Sequence, residues 1–254
     1  VQQTRQVVAV SGATSGFGLE IARMFAARGA ALVLIGRRQE RLEALIAGFG
    51  PENAHPLCCD IRDAEGYAAA LAGLPPDFAG IDVLVNNAGI GLGRDLAQEA
   101  SLGDWLAMLE TNVTGLIAGT QAVLPGMVRR NRGHIVNIGS IAAQFPTPRN
   151  AIYAASKAFA RHFALCLRAD LFGTMVRVTA IEPGQGGDTE FTLLRERGDA
   201  ERARTLYGSS RLIAPRDVAE TVLWVVDRPA HLNVNLIQFM PVDQSFGQMA
   251  FAGR

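Results

Sequence analysis

The chain has 254 residues, of which 49% are hydrophobic and 19% charged, and its 24 basic and 24 acidic side chains cancel to a formal net charge of zero. That balance offers no cationic face to a phosphate backbone, and no apolar run approaches the ~18 residues of a membrane span, so neither a nucleic-acid nor a membrane partner is expected. The opening Val1-Gln2-Gln3-Thr4-Arg5-Gln6 lacks an apolar signal region, which favours a cytoplasmic protein. Cys58, Cys59 and Cys166 make neither a disulfide framework nor a zinc spacing and read as small buried residues. His55, His134, His162 and His231 are scattered, so no metal role is assigned.

The first strand, at 7–11, runs through Val7-Val8-Ala9-Val10 into Ser11-Gly12-Ala13-Thr14-Ser15-Gly16-Phe17-Gly18, and a helical pattern follows to 28. Strand, glycine-rich turn and helix start make a seat for a pyrophosphate, because backbone N–H groups and the positive end of the helix dipole converge where no Cβ intrudes. Gly12, Thr14, Ser15, Gly16, Phe17 and Gly18 are therefore cofactor candidates. The second strand, at 31–35, ends in Gly36-Arg37-Arg38. An NAD enzyme needs a carboxylate there for the ribose hydroxyls, whereas two guanidinium groups suit a 2′-phosphate. The expected cofactor is NADP(H), held by Arg37 with Arg38 as helper.

Further along, the pattern gives helices at 38–49, 62–72, 102–130, 151–172 and 215–227, with strands at 55–59, 82–86, 134–139, 175–181 and 234–239. Alternation of this kind predicts an α/β fold: a doubly wound parallel sheet of about seven strands, the Rossmann fold, with helices on both faces and ligands beyond the carboxyl ends of the strands. A single domain over 1–254 is expected, because the glycine-rich turn and Pro183-Gly184 stand at opposite ends of the chain and one site needs both. The charged excursion at 185–211 reads as a mobile substrate lid, and 241–254 as a C-terminal tail.

Tyr153 and Lys157 stand four residues apart in a helical run, so a phenol and an ammonium share one face. Roughly 4 kcal/mol is needed to bring a tyrosine pKa from ~10 to neutrality. One cation at about 5 Å, at an effective dielectric of ~20, contributes roughly 3 kcal/mol. Tyr153 is thus a candidate general acid for a carbonyl oxygen receiving a hydride, and base in the reverse direction.

Taken in order, the glycine trio, Asn86-Asn87-Ala88-Gly89, Asn112, Ser140, Tyr153 with Lys157, and Pro183-Gly184 resemble the short-chain dehydrogenase/reductase family over nearly the whole chain. The spacing Gly-x-x-x-Gly-x-Gly is that of its simple oxidoreductases. More narrowly, Gly36-Arg37-Arg38-Gln39-Glu40-Arg41-Leu42, the run 123–128, Arg177 to Gly184 and Met240 to Ser245 look like the bacterial NADP-dependent 3-hydroxy acid dehydrogenases, which act on serine, allo-threonine, 3-hydroxypropionate or malonic semialdehyde, with relatives that reduce sulfoacetaldehyde. The resemblance implies that Ser140 hydrogen-bonds the reacting oxygen, that Lys157 holds the nicotinamide ribose, and that the carbonyl or amide of Asn112 holds a water relaying protons to Lys157. It also implies that Asp60 and Ile61 border the adenine and that Asn86, Ala88 and Gly89 stabilise the central strand and approach the cofactor. Pro183, Gly184 and Thr189 would meet the carboxamide, and the assembly would be a homotetramer.

The runs 147–152 and 185–188 depart from the close group, which leaves the substrate open. Arg195, and secondly Arg149, could take the carboxylate or sulfonate of a small anionic substrate in paired hydrogen bonds. A reductase of larger ketones, sugars or acyl thioesters, and a non-catalytic NADP(H) sensor, are the alternatives.

Overall fold

The computed structural model describes residues 5–187, 189–205 and 210–246, so residues 188 and 206–209 of the expected lid and the tail beyond 246 lie outside the described residues. Strands β1 (Val7–Ser11), β2 (Ala31–Gly36), β3 (Ala54–Cys58), β4 (Val83–Asn86), β5 (Gly133–Ile138), β6 (Val176–Pro183) and β7 (Leu236–Phe239) form, among the described residues, one seven-stranded sheet. Their order is β3-β2-β1-β4-β5-β6-β7 and every neighbouring pair is parallel.

Side chains alternate between faces along a strand, and here both faces are covered, which is why β1 and β2 are apolar throughout. Val8, Val10, Leu32 and Leu34 pack with Ile21 and Phe25 of helix α1 (Gly16–Ala27), Leu42 of α2 (Gln39–Phe49), and Val218 and Val222 of α10 (Pro215–Val226). Val7, Ala9, Val33 and Ile35 face the other way, toward Tyr67 of α3 (Ala64–Ala72), Met127 of α6 (Gly115–Arg129) and Leu167 of α7 (Ala151–Asp170). Chain order reverses between β1 and β4, so the turns leaving those two strands flank one crevice at the carboxyl edge, the usual ligand position in such sheets.

Four sequence expectations are corrected. The helix expected at 102–130 is α5 (Leu102–Leu109), a π-helical turn (Glu110–Thr114) and α6, because the hydrogen bonds of the buried Asn112 side chain draw the helix into a wider turn there. A short helix, α4 (Pro76–Ala79), precedes β4 where no element was expected. The 185–211 excursion carries two short helices, α8 (Glu190–Arg195) and α9 (Ala200–Thr205). Finally, Cys58 and Cys166 are exposed and Cys59 half-buried, since Cys58 ends an edge strand and Cys166 lies on the outer face of α7.

Candidate active site

The glycine-rich turn is built for close approach. Gly12 and Gly16 take φ values of 68° and 53°, a region that side chains disfavour. Gly18 has ordinary φ but no spare room, for a Cβ there would collide with Asn87 Nδ2 and the Gly12 carbonyl. The turn is tied to the end of β4: Ser11 Oγ accepts from the backbone N–H groups of Asn87 and Ala88, both at 3.0 Å, and Asn87 Nδ2 donates to the Ser11 carbonyl at 2.9 Å. The start of α1 carries no acidic residue in its first turn, which suits a bound anion.

Arg38 lies across this turn. Its Nε and Nη2 donate to Thr14 Oγ1 at 3.1 and 2.7 Å, Nη2 also reaches Ser15 Oγ at 3.0 Å, and Nη1 pairs with Glu190 at 2.6 Å. Arg41 holds the other oxygen of Glu190 at 2.7 Å. Partial burial works the other way, yet the hydrogen bonds from Arg38 and Arg41 hold the Glu190 carboxyl down at about 2. Arg37 instead turns outward, its nearest partner being Asp60 at 3.8 Å. Of the two arginines it is the second that faces the glycine-rich turn, since adjacent residues leaving a strand point to opposite sides.

Of the other cofactor candidates, Phe17 packs under Gly186 and the methyl of Thr189 sits over Gly16. Pro183 ends β6, and Gly184 tucks beneath Gln244, whose Oε1 accepts from the Gln185 N–H at 2.8 Å. Asp60 is held by Arg62, whose hydrogen bonds keep the carboxyl below its ordinary range. Two further candidates also engage the scaffold. Ile61 is buried against Gly115, and the Asn86 amide is committed to Thr120 Oγ1 at 3.0 Å and Asn137 Oδ1 at 2.9 Å.

The catalytic candidates converge from three elements. Lys157 is buried on α7, its Nζ donating to the Ile138 carbonyl at 3.0 Å and lying 5.8 Å from the centre of the Tyr153 ring. Burial pushes the Lys157 ammonium down to about 8. Gly89 lets both groups near the backbone, since a Cβ there would stand 3.1 Å from Lys157 Nζ and 3.3 Å from Asn112 Oδ1. Ser140 follows β5 and caps a short 3-10 turn, accepting from the Ala142 N–H at 3.1 Å.

The Asn112 side chain is committed to protein partners. Its Oδ1 accepts from the Ile90 N–H at 2.8 Å, and its Nδ2 donates to the Ile90 carbonyl at 2.9 Å and to Ser156 Oγ at 3.0 Å. Ser156 in turn donates to the Tyr153 carbonyl at 2.7 Å. Both ends of the amide are spent joining the β4 extension to the catalytic helix, so its side chain is scaffold and a relay water would need its main-chain carbonyl.

On the far side of Tyr153 lies a cavity of about 50 Å³, lined by Leu92, Trp105, Met108, Arg149, Tyr153 and Arg195 among others. Arg195 Nη2 donates to Asn150 Oδ1 at 2.7 Å and its guanidinium lies 5.4 Å from the Tyr153 ring centre. Phe191 stacks at a tilt on the same ring with centroids 5.5 Å apart. Arg149 holds a left-handed φ of 61° and reaches the Arg94 carbonyl at 3.3 Å. Ser11, Asn87, Ser156, Glu190 and Phe191 are site residues that sequence reasoning missed. Asn87, Glu190 and Phe191 adjoin recognised motif residues, but only the folded chain shows where they point.

Residues 6–197 match the short chain dehydrogenase family. An NADP-dependent 3-hydroxy acid dehydrogenase of Salmonella typhi is 49% identical over 96% of this chain and 98% of its own. A serine 3-dehydrogenase of Agrobacterium fabrum is 45% identical over 94% and 95%. Among solved structures, the closed form of a serine dehydrogenase complexed with NADP+ superposes with a TM-score of 0.96 at 46% identity, covering 98% of this chain and 100% of that one. With the glycine-rich turn, the Tyr153–Lys157 pair and Ser140 grouped at the carboxyl edge of the sheet, this chain belongs to the short-chain dehydrogenase family.

Proposed function

We propose that the protein is an NADP(H)-dependent oxidoreductase that interconverts a short 3-hydroxy acid, or a sulfonate analogue, with its aldehyde or ketone. Oxidation and reduction at a CH–OH group is the chemistry of its family and of the relatives named above. The residues fit the cofactor: the glycine cradle accepts a pyrophosphate, and β2 ends in guanidinium groups with no carboxylate. Arg38, Thr14 and Ser15 would hold the 2′-phosphate, and Lys157 the nicotinamide ribose. When bound, the nicotinamide supplies or accepts the hydride. Tyr153 delivers a proton to the substrate oxygen as charge builds there, Ser140 donates a hydrogen bond to the same oxygen, and Lys157 favours the phenolate. Segment 185–211 serves as the lid over the substrate.

The observation that carries the substrate class is Arg195, a guanidinium beside the catalytic phenol in a cavity of about 50 Å³. Such a space suits a substrate of few atoms with one anionic end, oriented by paired hydrogen bonds. The test is a panel of 3-hydroxypropionate, serine, sulfoacetaldehyde and uncharged aldehydes with both cofactors, repeated on Arg195→Met. A much larger loss of kcat/KM for anions than for uncharged aldehydes supports the reading, and equal loss for charged and uncharged substrates refutes it. We further propose a homotetramer, supported by Leu102, Leu106, Phe159 and Phe172 exposed on or beside α5 and α7; a monomer in sedimentation at micromolar concentration would contradict it.

A further inference from the structure

Tyr153 has a cation on either hand, and the two come from separately built parts of the fold. Lys157 belongs to the same helix and stands 5.8 Å from the ring centre. Arg195 ends α8 and stands 5.4 Å from it. Long-range contacts hold Arg195 there. Asn150, buried at the start of α7, accepts its Nη2 at 2.7 Å, and its carbonyl accepts from the Gly93 N–H at 3.1 Å. At the other end of α8, Glu190 is pinned by Arg38 and Arg41. Phe191, between them, covers the tyrosine ring.

We propose that Arg195 is a second electrostatic activator of Tyr153, so that seating α8 over the site completes the tuning of the acid as well as enclosing the substrate. The proposal deepens the reading of Tyr153 as proton donor and rests on it. A phenol that loses its proton becomes an anion, and any cation within several ångströms favours that state, more strongly where water is excluded. The remaining charges around the ring do not cancel the effect. Arg149 lines the same cavity and has the same sign. The carboxylates lining it, Asp95 from the loop after β4 and Asp104 from α5, are both engaged by Arg197, at 2.8 and 3.0 Å. Glu196, the next residue after Arg195, is paired with Arg94 at 2.7 Å and with Arg202 at 2.8 Å. This role differs from a clamp on the substrate, because it acts on the phenol even when the substrate carries no charge.

The test reads the phenol directly. The chain has three tyrosines, Tyr67, Tyr153 and Tyr207, so subtracting the ultraviolet titration of Tyr153→Phe from that of the wild type isolates the Tyr153 tyrosinate. Tyr67 does not interfere, since burial raises its hydroxyl well above the ordinary value. The expected result is that the Tyr153 component moves up by about one pH unit in Arg195→Met and returns most of the way in Arg195→Lys. The pH limb for reduction of an uncharged aldehyde should move by the same amount, with NADPH affinity unchanged. A Tyr153 component at the same pH in all three proteins overturns the proposal, as does Arg195→Lys behaving like Arg195→Met, which would assign the effect to packing and not to charge. Failure of the substrate panel would leave the titration intact, so the two readings fall separately.

Discussion

Arg38 uses three of its nitrogens on protein partners, two on the hydroxyls of the glycine-rich turn and one on Glu190, so its guanidinium is held beside the turn where we propose the 2′-phosphate binds. Arg38→Ala should weaken NADPH binding by roughly 1.5–3 kcal/mol, the worth of a hydrogen bond to a charged group, and leave NADH nearly unchanged. Arg37→Ala should do less, because that side chain is exposed and turned toward Asp60. Calorimetric titration with both cofactors checks this, and equal losses for NADPH and NADH in Arg38→Ala would remove the assignment. Lys157 carries a different signature. Its folded pKa of about 8 lies below the free value of 10.5, so between those pH values the unfolded chain binds more protons and stability rises with pH. Below pH 8 the burial penalty is fully present, on the order of 3 kcal/mol. Lys157→Met should therefore gain in stability relative to the wild type at pH 7, less about 1 kcal/mol for the lost bond to Ile138, and the advantage should vanish by about pH 10.5. Denaturant titrations at the two pH values decide it; a difference independent of pH would mean that burial does not depress the ammonium. At this scale the sequence was informative wherever spacing encodes geometry, as for Tyr153 and Lys157 on one helix face. It favoured Arg37 over Arg38, but their directions depend on how the chain leaves β2, which spacing does not encode.

At the scale of elements, the turn between β1 and α1 shows why a motif can be legible while its mechanism is not. Gly12-x-x-x-Gly16-x-Gly18 is plain in the sequence, but the need for Gly18 comes from Asn87, far along the chain and brought against the turn by β4. Gly18→Ala should cost about 1–3 kcal/mol, the usual scale of overpacking, and should loosen NADPH binding along with it, because the Gly12 carbonyl must move. Thermal denaturation and cofactor titration of one preparation test both, and unchanged values would show that the turn has slack. The π-helical turn was hidden for a related reason. Its cause is the three hydrogen bonds of Asn112 to Ile90 and Ser156, and hydrophobic periodicity over 102–130 carries no trace of contacts so distant in sequence. Helices α8 and α9 escaped notice because each is only six residues long and rich in charge, too short for a periodic stripe.

For the whole molecule, the parallel sheet was legible because strands buried on both faces must be continuously apolar, and those runs alternate with longer helical patterns. The sheet and the segment around α8 and α9 are nevertheless held by different forces. The strands sit in two apolar layers, whereas α8 has no buried residue. The segment around α8 and α9 is secured instead by ion pairs: Glu190 to Arg38 and Arg41, Glu196 to Arg94 and Arg202, and Arg197 to Asp95 and Asp104. Dissolved salt screens one set of forces and spares the other, the Debye length falling from about 10 Å at 0.1 M to about 3 Å at 1 M. Raising sodium chloride over that range should speed proteolytic cleavage within 189–205 severalfold while the melting temperature of the protein changes by only a few degrees. Cleavage that ignores salt would show that packing, not charge, fastens the segment. The segment around α8 and α9, which we propose as the cover, should thus answer to the ionic strength of its surroundings, and the sheet beneath it should not.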